Sequence, residues 1–252
     1  MTVDIVLDTH VIESVDLVIF DKDGTLMDLY HYWSQMICLR ADHIARELYL
    51  DTRHKNGLIY EMGVDLANGR LRPQGPVGIK KRSEVLQAAV DYLDSIGLKD
   101  NYNLCNNAFG HVDAISSSRV KDFIKPIAGA NELLEALRSR KCKIAIATTD
   151  ISDRARLAMK YLGFLSKIDF IIGADMVKKT KPDPEMIYKT LEMLSVDASS
   201  SVMVGDATTD IEIGLNAGLK ASVAVLTGLS QESELRELTP YVVKSVKDIV
   251  IS

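Results

Sequence analysis

Residues 17–28 read LVIFDKDGTLMD, and four apolar residues of this stretch run directly into Asp-Lys-Asp-Gly-Thr. A short apolar run bounded by turn residues is typical of a fully buried strand. On one interpretation, Asp21 and Asp23 mark a polar turn at which the strand reaches the surface. On the other, the strand carries a nucleophile and a metal site at its end, and the rest of the chain must decide between the two.

From about residue 126 the chain alternates between short apolar segments and segments with helical spacing. Strands that alternate with helices indicate a parallel sheet covered by helices on both faces. The apolar run before Asp21 fits the same sheet by its composition, so we predict an α/β fold with a Rossmann-like, doubly wound parallel sheet. Ligands of such sheets bind beyond the carboxyl ends of the strands, which places Asp21, Thr148 and Asp206 at one edge. The four further strand-like segments are KIAIAT, FIIG, SVMVGD and ASVAVLT.

Residues 29–122 interrupt this alternation. Three long segments there have helical patterns, and no segment is as apolar as the later strands. The Gly- and Pro-rich residues 68–78 indicate a loop in the middle of this region. We therefore predict a Rossmann-like catalytic core formed by residues 1–28 and 123–252, with an all-helical cap domain inserted at residues 29–122.

Both ends of the chain are expected to add elements to the core. The segment VDIVL, within the first fifteen residues, predicts an additional edge strand of the sheet. The tail from Ser230 predicts a helix and a last short strand around residues 241–243.

The composition argues against several classes of protein. The chain has 252 residues, of which 47% are hydrophobic and 26% are charged, as in ordinary globular proteins. The formal net charge is −5 and there is no dense Lys/Arg run, so nucleic acid is not an expected partner. No apolar run approaches the roughly 18 residues of a membrane-spanning helix. The first residues lack the basic region that is typical of a secretory signal, so none is expected. Three separated cysteines without a C-x-x-C pair favour a reduced, cytoplasmic setting.

Four short motifs occur in order along the chain. DKDGT at residues 21–25 and the apolar strand that ends at Thr148 match the first two motifs of the haloacid dehalogenase superfamily. KPDP at residues 181–184 matches the third motif, and VGDATTD at residues 204–210 matches the fourth. With the helical insert, the chain resembles the phosphoglycolate-phosphatase-like branch of that family. The second motif often continues with Asn in the family, whereas here it continues with Thr-Asp.

The resemblance implies phosphoryl transfer. Asp21 would be the nucleophile, and a carboxylate ionised at neutral pH needs no base to activate it. Asp23 would be the general acid/base, because the phosphatases and phosphomutases of the family carry Asp at this position. Mg²⁺ would be held by the carboxylates of Asp21 and Asp206 and by the backbone carbonyl of Asp23. Thr148 would donate a hydrogen bond to a phosphate oxygen, and Lys181 would supply a fixed positive charge.

Other residues would support the reaction and select the substrate. Gly24 permits a sharp turn whose N–H groups can face the phosphate. Asp210 would support the waters of the metal or orient Lys181. The cap would close over the edge of the sheet and exclude water. The candidates for substrate binding are Gly24, Thr149, Arg70 and Arg72. For the two arginines, a solvated loop is an equally good interpretation.

The predicted function is that of a Mg²⁺-dependent phosphatase acting through an aspartyl-phosphate on a small phosphorylated metabolite, such as phosphoglycolate or a sugar phosphate. A phosphomutase of the beta-phosphoglucomutase type shares all four motifs and stays open as an alternative. A non-catalytic module that binds a partner protein is the third possibility, although it would not require the complete set of motif residues. Neither nucleic acid nor membrane is an expected partner, and both a monomer and a homodimer are compatible with the sequence.

Overall fold

The computed structural model describes residues 2–78 and 80–252. The chain divides into two compact units: one, the core unit, comprises Met1–Asp28 and Lys125–Ser252, and the other, the insert unit, comprises Leu29–Ile124. The strands are β1 (Val3–Leu7), β2 (His10–Val15), β3 (Leu17–Phe20), β4 (Val64–Asp65), β5 (Arg70–Leu71), β6 (Lys143–Ala147), β7 (Phe170–Ile172), β8 (Ser201–Gly205), β9 (Ala221–Val225), β10 (Val242–Val243) and β11 (Ile249–Ile251). The α-helices are α1 (Leu29–Glu47), α2 (Thr52–Glu61), α3 (Arg82–Ser95), α4 (Tyr102–Ser118), α5 (Val120–Phe123), α6 (Ala130–Ser139), α7 (Ser152–Tyr161), α8 (Glu185–Leu194), α9 (Thr208–Asn216) and α10 (Glu232–Leu238).

The core unit is built on a six-stranded sheet in the order β10-β9-β8-β3-β6-β7. All of its strand pairs are parallel, and helices flank it, which confirms the predicted Rossmann-like fold. Strand β3 lies in the middle of the sheet, with Phe20 in register with Ile146 on one side and Val204 on the other. Consequently the residues that directly follow β3, β6 and β8 emerge together at the carboxyl edge.

Apolar packing holds the sheet against α8 and α9. Leu17 and Ile19 of β3 share a buried cluster with Met186 and Ile187 of α8 and with Ile213 of α9. Each of these five side chains is completely buried. Because successive strand residues point to opposite faces, this cluster uses the alternate residues of β3. The packing fixes the strand from which the DKDGT segment begins.

The N-terminal strand does not lie where the sequence suggested. The segment VDIVL forms β1, but β1 pairs antiparallel with β2 and β11 in a separate three-stranded sheet. The prediction of an edge strand in the main sheet is therefore wrong. A tight turn at Asp8, with φ of +43°, folds β2 back onto β1. The other partner of β1 is β11, which lies near the C-terminus. The predicted helix of the tail is confirmed as α10, and the predicted short strand is confirmed as β10. The expectation that this strand is the last one is wrong, because β11 follows it.

The insert unit consists mainly of helices. The Gly- and Pro-rich segment at residues 68–78, expected to be a loop throughout, contributes the two-residue strand β5, which pairs antiparallel with β4. Helix α4 was not among the three predicted helices, although Cys105, Ala108 and Phe109 are buried at helical spacing along it. Its Asn and Gly residues weaken the apolar pattern on which the prediction relied. None of the helices in the described parts of the chain is both long and apolar enough to cross a membrane.

Candidate active site

The ammonium group of Lys181 lies between two buried carboxylates. Its Nζ is 2.7 Å from Oδ1 of Asp21 and 2.6 Å from Oδ1 of Asp210. Asp21 directly follows β3, Asp210 lies in the first turn of α9, and Lys181 precedes α8. The exposed fractions of these side chains are 2% for Lys181, 11% for Asp21 and 3% for Asp210, so the ion pairs are shielded from solvent. Three of the predicted site residues are therefore in direct contact.

A third carboxylate completes an acidic cluster beside this lysine. Oxygens of Asp21, Asp206 and Asp210 all lie within 4.8 Å of one another. Oδ1 of Asp206 accepts a hydrogen bond of 2.9 Å from the hydroxyl of Thr25. Three carboxylates face one ammonium group in this cluster, so buried negative charge is in excess. Hard oxygen donors with excess negative charge are the ligands that a divalent cation such as Mg²⁺ requires, so the cluster is compatible with a divalent metal.

Two glycines leave room for the Asp206 carboxylate. Gly24 has φ of +89°, in the left-handed region that favours glycine, and a Cβ there would lie 2.6 Å from the Asp206 carboxyl carbon. A Cβ at Gly228 would lie 1.6 Å from Oδ2 of Asp206. The hydroxyl of Thr227 also donates to the carbonyl of Gly24 and so ties the two glycine segments together. The backbone on both sides of Asp206 thus requires residues without side chains.

The carboxylate of Asp23 lies outside this acidic cluster and is paired with its neighbour Lys22. The Nζ of Lys22 is 2.7 Å from Oδ1 and 2.6 Å from Oδ2 of Asp23, and 3.5 Å from Oδ2 of Asp150. Lys22 is buried, whereas the side chain of Asp23 is 33% exposed. The sequence predicts that Asp23 binds the metal through its backbone carbonyl and not through its side chain. This role stays a prediction.

The end of β6 places Thr148 and Thr149 differently. Thr148 is completely buried, its amide donates to the carbonyl of Ile172, and its hydroxyl oxygen accepts from the amide of Asp150 at 3.2 Å. Thr149 is exposed. A hydroxyl has one donor and two acceptor positions, so the Thr148 hydroxyl can accept this hydrogen bond and still donate its proton to another group.

Burial and charge shift the pKa values of this group. Burial raises the pKa of Asp21 above its usual range, with Lys181 acting in the opposite direction. Burial, reinforced by the charges of Asp21 and Asp210, raises the pKa of Asp206 well above its usual range. Burial alone would lower the pKa of Lys181, but the two carboxylates that it contacts outweigh this and raise it. The lysine is therefore charged at neutral pH, and the acidic cluster is crowded with negative charge.

Arg70 and Arg72 belong to the insert unit. The Nε of Arg70 is 3.6 Å from the Asp65 carboxylate, and 64% of its side chain is exposed. The guanidinium of Arg72 stacks 3.9 Å from the ring centre of Tyr60 and donates to that residue's carbonyl oxygen. These contacts account for both arginines within the insert unit, and their role in substrate binding stays a prediction.

Several residues of the site were not singled out from the sequence. Thr25 and Lys22 lie inside the DKDGT segment, but the sequence predicts no role for their side chains. Asp150 departs from the family motif and likewise has no predicted role. Gly228 carries no local signal at all, because its contact with Asp206 joins segments more than twenty residues apart. For Lys22, its position between Asp21 and Asp23 in the sequence is the signal that could have indicated an ion pair.

Curated relatives of this chain are phosphatases by name. Pyrophosphatase PpaX of Halalkalibacterium halodurans is 34% identical over 128 residues, which are 50% of this chain and 59% of that protein. Phosphoglycolate phosphatase of Aquifex aeolicus is 30% identical over 117 residues, 46% of this chain and 55% of that protein. Both alignments thus span little more than half of the relative. The phosphorylated carbohydrates phosphatase of Thermotoga maritima is 25% identical over 223 residues, 88% of this chain and 91% of that protein.

Solved structures share the fold over nearly the whole chain. A predicted phosphoglycolate phosphatase from Haemophilus somnus 129pt superposes with a TM-score of 0.64 at 18% identity, covering 93% of this chain and 96% of that one. A hydrolase of subfamily IA of the haloacid dehalogenase superfamily, from Geobacter sulfurreducens, superposes with a TM-score of 0.61 at 18% identity, covering 93% and 94%. At this level of identity the likeness concerns the fold.

The family profile covers most of the chain and its candidate site. The profile of the haloacid dehalogenase-like hydrolases matches residues 15–218, a range that begins before β3 and ends after α9. All members of the acidic cluster and the lysine that bridges two of them lie within it. The predicted family is therefore confirmed, and the chain belongs to the haloacid dehalogenase-like hydrolases.

Proposed function

We propose that the protein is a Mg²⁺-dependent phosphatase that hydrolyses a small phosphorylated metabolite through an aspartyl-phosphate on Asp21. The observation that carries this proposal is the buried cluster of Asp21, Asp206 and Asp210 with Lys181 between two of its members. It offers a carboxylate nucleophile, ligands for a divalent cation and a fixed positive charge at one strand end. The names of the relatives support the same reaction class.

In the first step, a carboxylate oxygen of Asp21 attacks phosphorus while the bond from phosphorus to the leaving oxygen breaks. Asp23 acts here in its protonated form, which the raised pKa of its carboxyl group favours. It gives its proton to the departing alkoxide, which leaves as an alcohol. Lys181 holds the nucleophile and offsets the negative charge of the phosphoryl group. The hydroxyl of Thr148 donates to a phosphoryl oxygen.

In the second step, water attacks the phosphorus of the aspartyl-phosphate, and Asp23 takes a proton from that water. The bond to Asp21 breaks, and its carboxylate and inorganic phosphate are released. Asp21 and Asp206, with the backbone carbonyl of Asp23, would hold Mg²⁺, whose charge lowers the repulsion between nucleophile and phosphate. Of the two roles predicted for Asp210, its contact with Lys181 favours the orientation of that lysine.

A phosphorylated carbohydrate is the substrate class that we favour. The Thermotoga maritima relative named for that class aligns over most of both proteins, whereas the pyrophosphatase and phosphoglycolate phosphatase relatives align over about half of theirs. Phosphoglycolate and pyrophosphate belong in the same assay panel, because their hydrolysis uses the same nucleophile.

The test of this proposal is phosphate release from a panel of phosphorylated metabolites and p-nitrophenyl phosphate, with Mg²⁺ and with EDTA. Wild type should release phosphate only with the metal, and Asp21→Asn should lower the rate at least about 10³-fold, because an amide is a poor nucleophile. Circular dichroism establishes that the variant is folded. Full activity of Asp21→Asn, or no release from any ester by wild type, would contradict the proposal. Phosphate exchange that needs a bisphosphate primer, with little net release, would indicate the phosphomutase instead.

A further inference from the structure

The lysine between the two aspartates of the DKDGT segment is buried. Only 3% of Lys22 is exposed, although lysine side chains usually reach solvent. A buried ammonium group is costly unless it is paired, and here both of its partners are carboxylates. Asp23 receives it through both oxygens and Asp150 through one. The charge of Lys22 is thus enclosed between a residue next to it in sequence and one that follows β6.

Contact with both oxygens restricts how the Asp23 carboxylate can turn. The two distances, 2.7 Å and 2.6 Å, are nearly equal, so Nζ lies symmetrically in front of the carboxylate. Lys22 does not contact the acidic cluster through a hydrogen bond in the described parts of the chain. Its closest charged partners are Asp23 and Asp150. The charge of Lys22 also acts on the nucleophile Asp21 at longer range, whereas its direct hydrogen bond is to Asp23.

Asp150 is itself held in place. Its Oδ1 accepts a hydrogen bond of 2.9 Å from the amide of Ile151 and lies 3.7 Å from Nε of Arg154 in α7. The amide of Asp150 donates to the hydroxyl oxygen of Thr148. Asp150 can therefore anchor Lys22 from the end of the neighbouring strand, β6.

We infer that Lys22 is a positioning residue that holds the Asp23 carboxylate for proton transfer, with Asp150 as its anchor. The inference rests on the proposed phosphatase function. Asp23 must donate a proton to the leaving oxygen and then accept one from the attacking water. A carboxyl group that rotates freely would seldom be oriented toward either of them. Displacement of a reacting group by about 1 Å can cost roughly 10²-fold in rate.

The leaving group of the substrate separates positioning from general structural damage. An alkoxide needs a proton as it departs, whereas p-nitrophenolate leaves without one. In Lys22→Met, which keeps the length of the side chain and removes its charge, kcat/KM for an alkyl phosphate should fall about 10- to 100-fold. The value for p-nitrophenyl phosphate should fall less than about threefold, because kcat/KM reports steps only up to departure of the leaving group.

Combination with Asp23→Asn tests whether Lys22 acts through Asp23. On the Asp23→Asn background, Lys22→Met should cause no further loss with the alkyl phosphate, since the group that it positions is already gone. Asp150→Asn should also lower kcat/KM more for the alkyl phosphate than for p-nitrophenyl phosphate, but by a smaller factor. This variant provides the test if Lys22→Met does not fold. Lys167→Met is the matched control. Lys167 pairs with Glu135 at 3.1 Å and precedes β7, so it lies at the amino ends of the strands, away from the candidate site. Its kcat/KM for both substrates should match wild type.

Equal losses with both substrates in Lys22→Met or Asp150→Asn would overturn the inference, and so would multiplying losses in the double variant. Either result with an active wild type would leave the phosphatase proposal standing. A wild type that hydrolyses neither ester would overturn the phosphatase proposal and the inference together.

Discussion

At the scale of single residues, the carboxylate of Asp206 is buried where its negative charge does not stabilise the metal-free protein. Asp206 is 5% exposed and lies in a cluster with two further carboxylates. Its one described hydrogen bond comes from Thr25. Removal of this carboxylate from water is costly, and the neighbouring charges add repulsion. The arrangement is expected of a site that serves a ligand rather than the fold.

We predict that Asp206→Asn stabilises the metal-free protein at pH 7. The pKa of Asp206 is raised in the folded state, so the folded chain binds its proton more tightly than the unfolded chain does. Stability therefore falls as pH rises from the unfolded value, about 3.9, through the raised pKa. An uncharged isostere removes that loss, and the free energy of unfolding should rise by about 1–2 kcal/mol.

Urea unfolding in EDTA measures this effect at pH 4 and pH 7. The gain of the variant over wild type should be larger at pH 7 than at pH 4. Asp197→Asn is the control, since Asp197 precedes β8 at the opposite edge of the sheet and should change stability little at either pH. A variant less stable than wild type at pH 7 would show that the ionised carboxylate supports the fold.

At the scale of elements, close helix contacts in the insert unit depend on glycine. Gly57 lies in α2, and a Cβ there would come within 2.0 Å of the hydroxyl oxygen of Tyr92 in α3. Gly110 lies in α4, and a Cβ there would meet nothing within 4 Å. Both residues are helical, so their backbones tolerate a side chain equally. They differ only in what surrounds them.

Gly57→Ala and Gly110→Ala should therefore shift the stability of the insert unit in opposite directions. Overlap with the Tyr92 ring should make Gly57→Ala destabilising by about 1–3 kcal/mol. Alanine in the open position of α4 should make Gly110→Ala stabilising by about 0.5–1 kcal/mol. Thermal unfolding by circular dichroism measures both. Similar changes in the two variants would mean that α2 and α3 are not packed at Gly57 as described.

At the scale of the whole molecule, stability should be linked to the divalent cation. The ligands that we propose come from the ends of β3 and β8, which the chain brings together from positions far apart in sequence. The unfolded chain has no such cluster, so a cation bound there stabilises the folded state. The overall charge of −5 also favours a cation over an anion at long range.

We predict that Mg²⁺ raises the thermal midpoint of wild type and that Asp206→Asn loses most of this effect. At about 100 times its dissociation constant the cation should add roughly 2.7 kcal/mol. The increase should be smaller at pH 5 than at pH 7, because protons compete for the raised-pKa carboxylates of Asp21 and Asp206. Differential scanning fluorimetry against Mg²⁺ concentration measures this, with Ca²⁺ and Na⁺ as comparisons. An equal response in Asp206→Asn would place the cation elsewhere.

The sequence by itself determined the class of the fold, the strand ends and most members of the candidate site. Strand and helix periods depend on residues close together in the chain, so LVIF, KIAIAT and SVMVGD were readable without any long-range knowledge. The rule that parallel strands present their carboxyl ends together then placed Asp21, Thr148 and Asp206 at one edge.

Only the tertiary structure decided which distant segments meet. Whether VDIVL joins the main sheet or pairs with β11 depends on a partner more than two hundred residues away. The contact of Gly228 with Asp206 and the pairing of Lys22 with Asp150 likewise join segments that no local pattern connects. Local periodicity records the neighbours of a residue along the chain, whereas such contacts are selected by burial and charge balance in the folded state.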